Sequence, residues 1–120
     1  MHMSHADIEK INSTAVMSAV TVFNKTVYLS GQVPKVTEND IELQTKDVLT
    51  TIDTLLAQAG TDKSRLLSAQ IFVKNLEDFQ KVNALWIEWM QGCVPPSRAT
   101  IQADLVNPAW LIEIAVIAAQ

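Results

Sequence analysis

At 120 residues, with 48% hydrophobic and 18% charged side chains, the chain suits one domain with a two-layer core and is too apolar to be disordered. Its net charge of −4, with no dense run of Lys and Arg, offers no footprint for a phosphate backbone, so no nucleic-acid partner is expected. The single cysteine, Cys93, cannot form an internal disulfide, which points to a reducing, cytoplasmic setting.

Residues 1–14, including His2 and His5, read as a flexible, polar N-terminal segment ahead of a single domain over residues 15–120. The first ten residues carry no apolar run, so no signal peptide is expected. Strand character begins near Val16. Val20 and Val22 share a face, and Asn24-Lys25 turns the chain into the strand Thr26-Val27-Tyr28-Leu29-Ser30, giving a first hairpin. Gly31 ends that strand, and 32–39 reads as a loop carrying Pro34. Asn39 and Glu42 have capping-box spacing and predict a helix with Asn39 as N-cap. Its apolar stripe is Ile41, Val48, Ile52, Leu55, Leu56 and Ala59, and Gly60 stops it.

Residues 65–74 alternate as a third strand, with Leu67, Ala69, Ile71 and Val73 on one face. A second helix opens at Asn75 or Asp78 and ends at Gly92. Its stripe of Phe79, Val82, Leu85, Trp86 and Trp89 falls at 3–4 spacing and reads as core rather than as a stacking platform. Pro95-Pro96 then breaks the chain. After it Ala99, Ile101, Ala103 and Leu105 alternate with Arg98, Thr100, Gln102 and Asp104. Across an Asn107-Pro108-Ala109 turn, 111–119 is apolar on nearly both faces, with Glu113 its one charge. The two segments are expected to close the chain as a hairpin. The last run is too short and β-branched for a membrane helix, and no membrane partner is expected.

The order β-β-α-β-α-β-β predicts an α+β sandwich of two layers, two helices on one face of a mixed sheet. A last strand apolar on both sides implies that the other face is buried too, by another copy of the chain.

The chemical inventory is short. The only histidines lie in the N-terminal segment, no metal-ligand spacing occurs, and the three glycines sit at element ends. No metal site is expected, and Cys93 without a base reads as inert. Arg98 stands apart. Expected on the face the helices leave open, it is either a surface or interface ion pair or a clamp for a small carboxylate, which its planar fork would hold in two places.

Four stretches carry a resemblance. They are Tyr28-Leu29-Ser30-Gly31-Gln32-Val33-Pro34, the Phe72-Val73-Lys74-Asn75-Leu76-Glu77-Asp78-Phe79 junction, Val82-Asn83-Ala84, and Pro96-Ser97-Arg98-Ala99-Thr100 together with 112–119. In this order they resemble the RidA (YjgF/YER/UK) family, also called endoribonuclease L-PSP, from about Val16 to Gln120. Met17-Ser18, the Asn107-Pro108-Ala109-Trp110 turn and 98–103 look closest to its RutC-like branch. The resemblance implies a Bacillus chorismate mutase-like fold, sheets forming the barrel of a homotrimer, and clefts between subunits. It also implies an enamine/imine deaminase that needs no cofactor and converts 2-aminoacrylate and 2-imino acids to 2-keto acids and ammonia. The family's carboxylate-gripping arginine matches Arg98, its cleft asparagine Asn83, and its pocket-lining Ser-Gly pair Ser30 and Gly31.

Three positions depart from RidA proper: Met17 stands where it has tyrosine, Thr100 where it has cysteine, and Ala115 where it has the glutamate that handles water. A non-catalytic trimer that binds or senses a 2-keto acid is therefore kept as the alternative. A ribonuclease or translation inhibitor rests on the family label alone.

Overall fold

Asn24 and Lys25 both take positive φ, 51° and 59°, the two-residue geometry whose twist matches antiparallel strands. They join β2 (Ser18–Phe23) to β3 (Thr26–Leu29) as the sequence predicts. The computed structural model describes residues 7–120. The expected N-terminal segment divides accordingly. His2 and His5 lie outside the described residues, while Glu9–Ser13 form β1, paired antiparallel with β2. That strand escapes a periodicity search because it is an edge. Its residues are polar and mostly exposed, as edge strands commonly are.

Helix α1 (Ile41–Gln58) starts one residue later than predicted. Asp40, not Asn39, is the N-cap: it has extended φ/ψ, and its Oδ1 accepts from the Leu43 amide at 3.1 Å. The cap position decides which side chain reaches the third helical amide, and with Asp40 there Glu42 is too close to reach back. The predicted stripe is buried throughout. At the far end Gly60 has φ +78°, Thr61 N–H donates to Leu56 O and Gly60 N–H to Ala57 O, a Schellman closure that only a residue tolerant of the left-handed region completes cheaply.

After a 3₁₀ turn at Lys63–Arg65 comes β4 (Leu66–Val73). Asp62 caps that turn, and the Ser64 hydroxyl and amide hold its carboxyl below the usual carboxylate range. A bulge between Leu66 and Ser68 resets the alternation. Leu66 is therefore buried and Leu67 half exposed at 51%, the reverse of the predicted phase, while Ala69, Ile71 and Val73 face the core as expected. Helix α2 (Phe79–Trp89) follows a 3₁₀ turn at Leu76–Asp78 and buries Val82 and Trp86, with Met90 just beyond.

The final two strands correct the predicted hairpin. β5 (Ser97–Gln102) lies parallel to β4, with α2 as its crossover, and β6 (Ile112–Ala119) runs antiparallel between β3 and β4. The sheet order is β1-β2-β3-β6-β4-β5. A strand apolar on both faces belongs at the centre, where it pairs on both sides. The Asn107-Pro108-Ala109 turn does form, with Asn107 Oδ1 accepting from the Ala109 amide, but it lies within a longer connection that crosses the end of β4. Gln44, wholly buried on α1, anchors that connection: its Nε2 donates to Glu38 O and Ala109 O, and its Oε1 accepts from the Leu111 amide.

The result is the predicted α+β sandwich, two helices over one face of a mixed six-stranded sheet. On the opposite face a groove of about 510 Å³ runs over Tyr28, Gln70, Ala99, Ala115 and Ile117.

Candidate functional site

Parallel pairing with β4 decides where β5 points its side chains. Arg98 is level with Ala69 and Thr100 with Ile71, and both β4 residues are buried beneath the helices. Arg98 and Thr100 therefore face α2, and Ala99, which lines the groove, and exposed Ile101 face the uncovered side. This corrects the expectation that Arg98 projects from the uncovered face. The alternation is as predicted; its assignment to a face follows from a parallel register that no local pattern encodes.

Facing the helices, Arg98 acquires a fixed geometry. Its Nη2 donates to Asn83 Oδ1 at 2.8 Å, and the guanidinium lies over the Trp86 ring, 5.4 Å from the centroid. Asn83 and Trp86 are three residues apart on α2 and so present one face to it. Trp86 is 4% exposed, so the platform is rigid. Trp89 lies beside it at 5.4 Å between centroids, its Nε1 donating to Asp53 Oδ2. Thus Trp86 is core, as its spacing predicts, and also a stacking surface. Asn83 accepts one guanidinium N–H, and among the described residues no carboxylate pairs with the half-buried cation. A charge held in a low-dielectric margin with one neutral acceptor attracts an anion more strongly than a solvated lysine would.

Ser30 and Gly31 occupy a different place. From Tyr28 to Gln32 the chain advances four residues while β6 advances three, from Ile117 to Ile114, so a residue bulges out around Ser30–Gly31. The Gln32 amide group folds back on this bulge, its Nε2 donating to Ser30 O at 2.9 Å. Gly31 packs directly against the side chain of Glu113, so that a methyl group added there would overlap the carboxylate. A side chain at this position would have to push the flexible end of Glu113 aside. The bulge and the Glu113 contact are features the sequence reading missed. Gly31 ahead of a strand charged only at Glu113 was the available signal.

Within one chain these parts stay apart. Three strand spacings separate β3 from β5, about 14 Å. Met17, 57% exposed, sits in the β1–β2 connection towards the opposite edge. Arg98, Asn83 and Thr100 form one cluster with Trp86; Ser30 and Gly31 form another with Gln32 and Glu113. Cys93 is half-buried in a small pocket with Trp86 and Met90. Among the described residues no group of acidic, histidine or cysteine side chains is arranged to hold a metal, and no helix is long and apolar enough to cross a membrane.

Residues 7–120 match the sequence profile of the family described as Endoribonuclease L-PSP. The chain belongs to that family. A RutC family protein of Haemophilus influenzae is 45% identical over 112 residues, covering 92% of this chain and 97% of the relative. The RutC family protein YoaB of Escherichia coli K12 is 38% identical over 112 residues, with 93% and 97% covered. A solved YjgF family protein from Neisseria meningitidis superposes with a TM-score of 0.92 at 34% identity, 98% of each chain covered. The L-PSP fold and the RutC-like branch are thus both those the sequence motifs suggest.

Proposed function

We propose that this L-PSP family protein is a cytoplasmic, cofactor-independent deaminase of 2-imino acids, working in clefts between the subunits of a homotrimer. The observation that carries the reading is Arg98, fixed by Asn83 and Trp86 and lacking a carboxylate partner among the described residues. It would grip the carboxylate of a small substrate, with Thr100 on the same face one strand repeat away. Ser30 and Gly31 of the partner subunit complete the cleft, which explains why one chain carries two half-sites. Met17, exposed in its connection, is expected at the same seam.

The reaction suits such a site. 2-Aminoacrylate tautomerises to 2-iminopropanoate; water adds to the imine carbon, the C–N bond then breaks, and pyruvate and ammonium leave. The anchored carboxylate fixes the imine carbon, and the closed cleft limits the attacking water to one approach. Supplying 2-iminopropanoate to the purified protein should release ammonia well above the uncatalysed rate. If ammonia release stays at background, the reading fails.

Ala115 supports a second reading. Its methyl group moves no proton, and a general acid or base contributes about 10²–10⁴-fold, so the trimer would then bind a 2-keto acid without turning over the imine. Saturable pyruvate binding in calorimetry without ammonia release would favour this sensor. A ribonuclease is disfavoured by the acidic net charge of −4.

A further inference from the structure

Trp86 sets the plane of Arg98, yet its own ring is held by packing alone. Among the described residues its indole N–H has no hydrogen-bond partner. The neighbour that fixes it is Trp89, three residues further along α2, whose ring lies tilted at 49° with its centroid 5.4 Å away. Trp89 is tied twice. Its Nε1 donates to Asp53 Oδ2 on α1 at 3.0 Å, and the Lys63 ammonium lies over its ring, 5.0 Å from the centroid. Two tilted indoles in a close-packed layer do not turn independently, because rotating one ring drives its edge into the other. The contacts therefore run in one line, from the exposed surface of α1 through two rings of α2 to the guanidinium on β5. The Asp53 carboxylate has no other hydrogen bond or ion pair among the described residues.

We propose that Trp89 and Asp53 are positioning residues for the carboxylate clamp, acting on Arg98 through Trp86. This rests on the carboxylate-binding reading of Arg98 and deepens it. With the Asp53–Trp89 bond in place, Trp86 offers one ring plane, and the guanidinium fork meets a carboxylate already aligned. Without that bond Trp89 regains rotamers and Trp86 follows it. Part of the binding free energy then goes into re-ordering the fork. Charge alone predicts the opposite sign. Asp53 is itself an anion, so its removal would leave affinity for a second anion unchanged or raise it. A loss of carboxylate affinity on removing Asp53 therefore reports positioning and not electrostatics.

The test compares wild type with Asp53→Ala, Asp53→Asn, Trp89→Phe and the double variant Asp53→Ala/Trp89→Phe, in pyruvate binding by calorimetry and in kcat and KM for 2-iminopropanoate. Asp53 lies at the surface, so its variants keep the fold. Asp53→Ala should weaken pyruvate binding about three- to tenfold. It should raise KM by a similar factor with kcat little changed, because bound substrate and transition state share the clamp. Asp53→Asn removes the same charge but keeps an oxygen that accepts the indole N–H, and it should recover most of the affinity. Trp89→Phe keeps a ring beside Trp86 without the donor, and it should match Asp53→Ala. Joining the two should add no further loss, since both break one bond. Wild-type affinity in Asp53→Ala, equal losses in Asp53→Ala and Asp53→Asn, or additive losses in the double variant would each overturn the proposal while leaving the Arg98 clamp standing. If wild type binds pyruvate but releases no ammonia, the deaminase reading falls and the same calorimetric comparison still decides the positioning role. Wild type that neither binds nor turns over defeats the clamp and the positioning role together.

Discussion

A guanidinium clamps an anion well only when its own orientation costs nothing at the moment of binding. Arg98 meets that condition through two contacts that differ in kind: a hydrogen bond to Asn83 fixes the fork, and the Trp86 ring fixes its plane. Lysine would keep the charge and lose both the fork and the stacking. Arg98→Ala is expected to weaken pyruvate binding by about 2–5 kcal/mol, and Arg98→Lys to recover only a minor part of it. Calorimetry on the two variants decides the point, and unchanged affinity in Arg98→Ala would assign the carboxylate to another group. Arg98 was legible in the sequence as the one cation opening a strand after a proline break. Its partners were not. Asn83 entered through the family resemblance, and Trp86 was read as core alone, because helical spacing says which residues share a face but not what a distant strand lays against it.

Among the elements, the helices and the first hairpin were the most legible, since cap, stripe and turn residues act within a few positions of one another. The sheet was less so. β6 was recognised as a doubly buried strand, yet its insertion between β3 and β4 is a choice among long-range pairings, which adjacency in sequence argued against. What holds the chosen path is local to Gln44. Its amide serves three main-chain groups: Ala109 O and the Leu111 amide in the connection that leads from β5 into β6, and Glu38 O ahead of α1. Replacing it strands those groups in a dry environment, each worth about 1–3 kcal/mol when unsatisfied. Gln44→Ala should therefore destabilise the fold by about 2–4 kcal/mol, read as a shift of the urea midpoint with unchanged slope. A change under about 0.5 kcal/mol would mean that water replaces the amide there.

For the whole molecule, the decisive feature is the sheet face without helices. Tyr28 and Ile101 are 43% and 45% exposed on or beside it, and Ala99, Ala115 and Ile117 line its groove. Alternation along β6 leaves Ile117 half-buried at the middle of this face, paired with Tyr28. An apolar, concave sheet surface fits another copy of itself, and cyclic closure would bring the edge that carries Arg98 towards the bulge at Gly31 of the next subunit. The sequence could announce the need for such a cover, through the two-sided apolar strand, but not the division of the proposed site across it. The protein is expected to sediment as a homotrimer at micromolar concentration. Ile117→Glu buries a charge at the contact while leaving the helix-covered core untouched, so it should yield a monomer with native circular dichroism. Because Arg98, Asn83 and Trp86 all come from one chain, that monomer should retain the stacked arginine; because the proposed cleft takes Ser30 and Gly31 from the next subunit, it should lose pyruvate affinity and ammonia release together. A monomer that still turned over 2-iminopropanoate would show that one chain holds a complete site, and a wild-type monomer would remove the reason for the split.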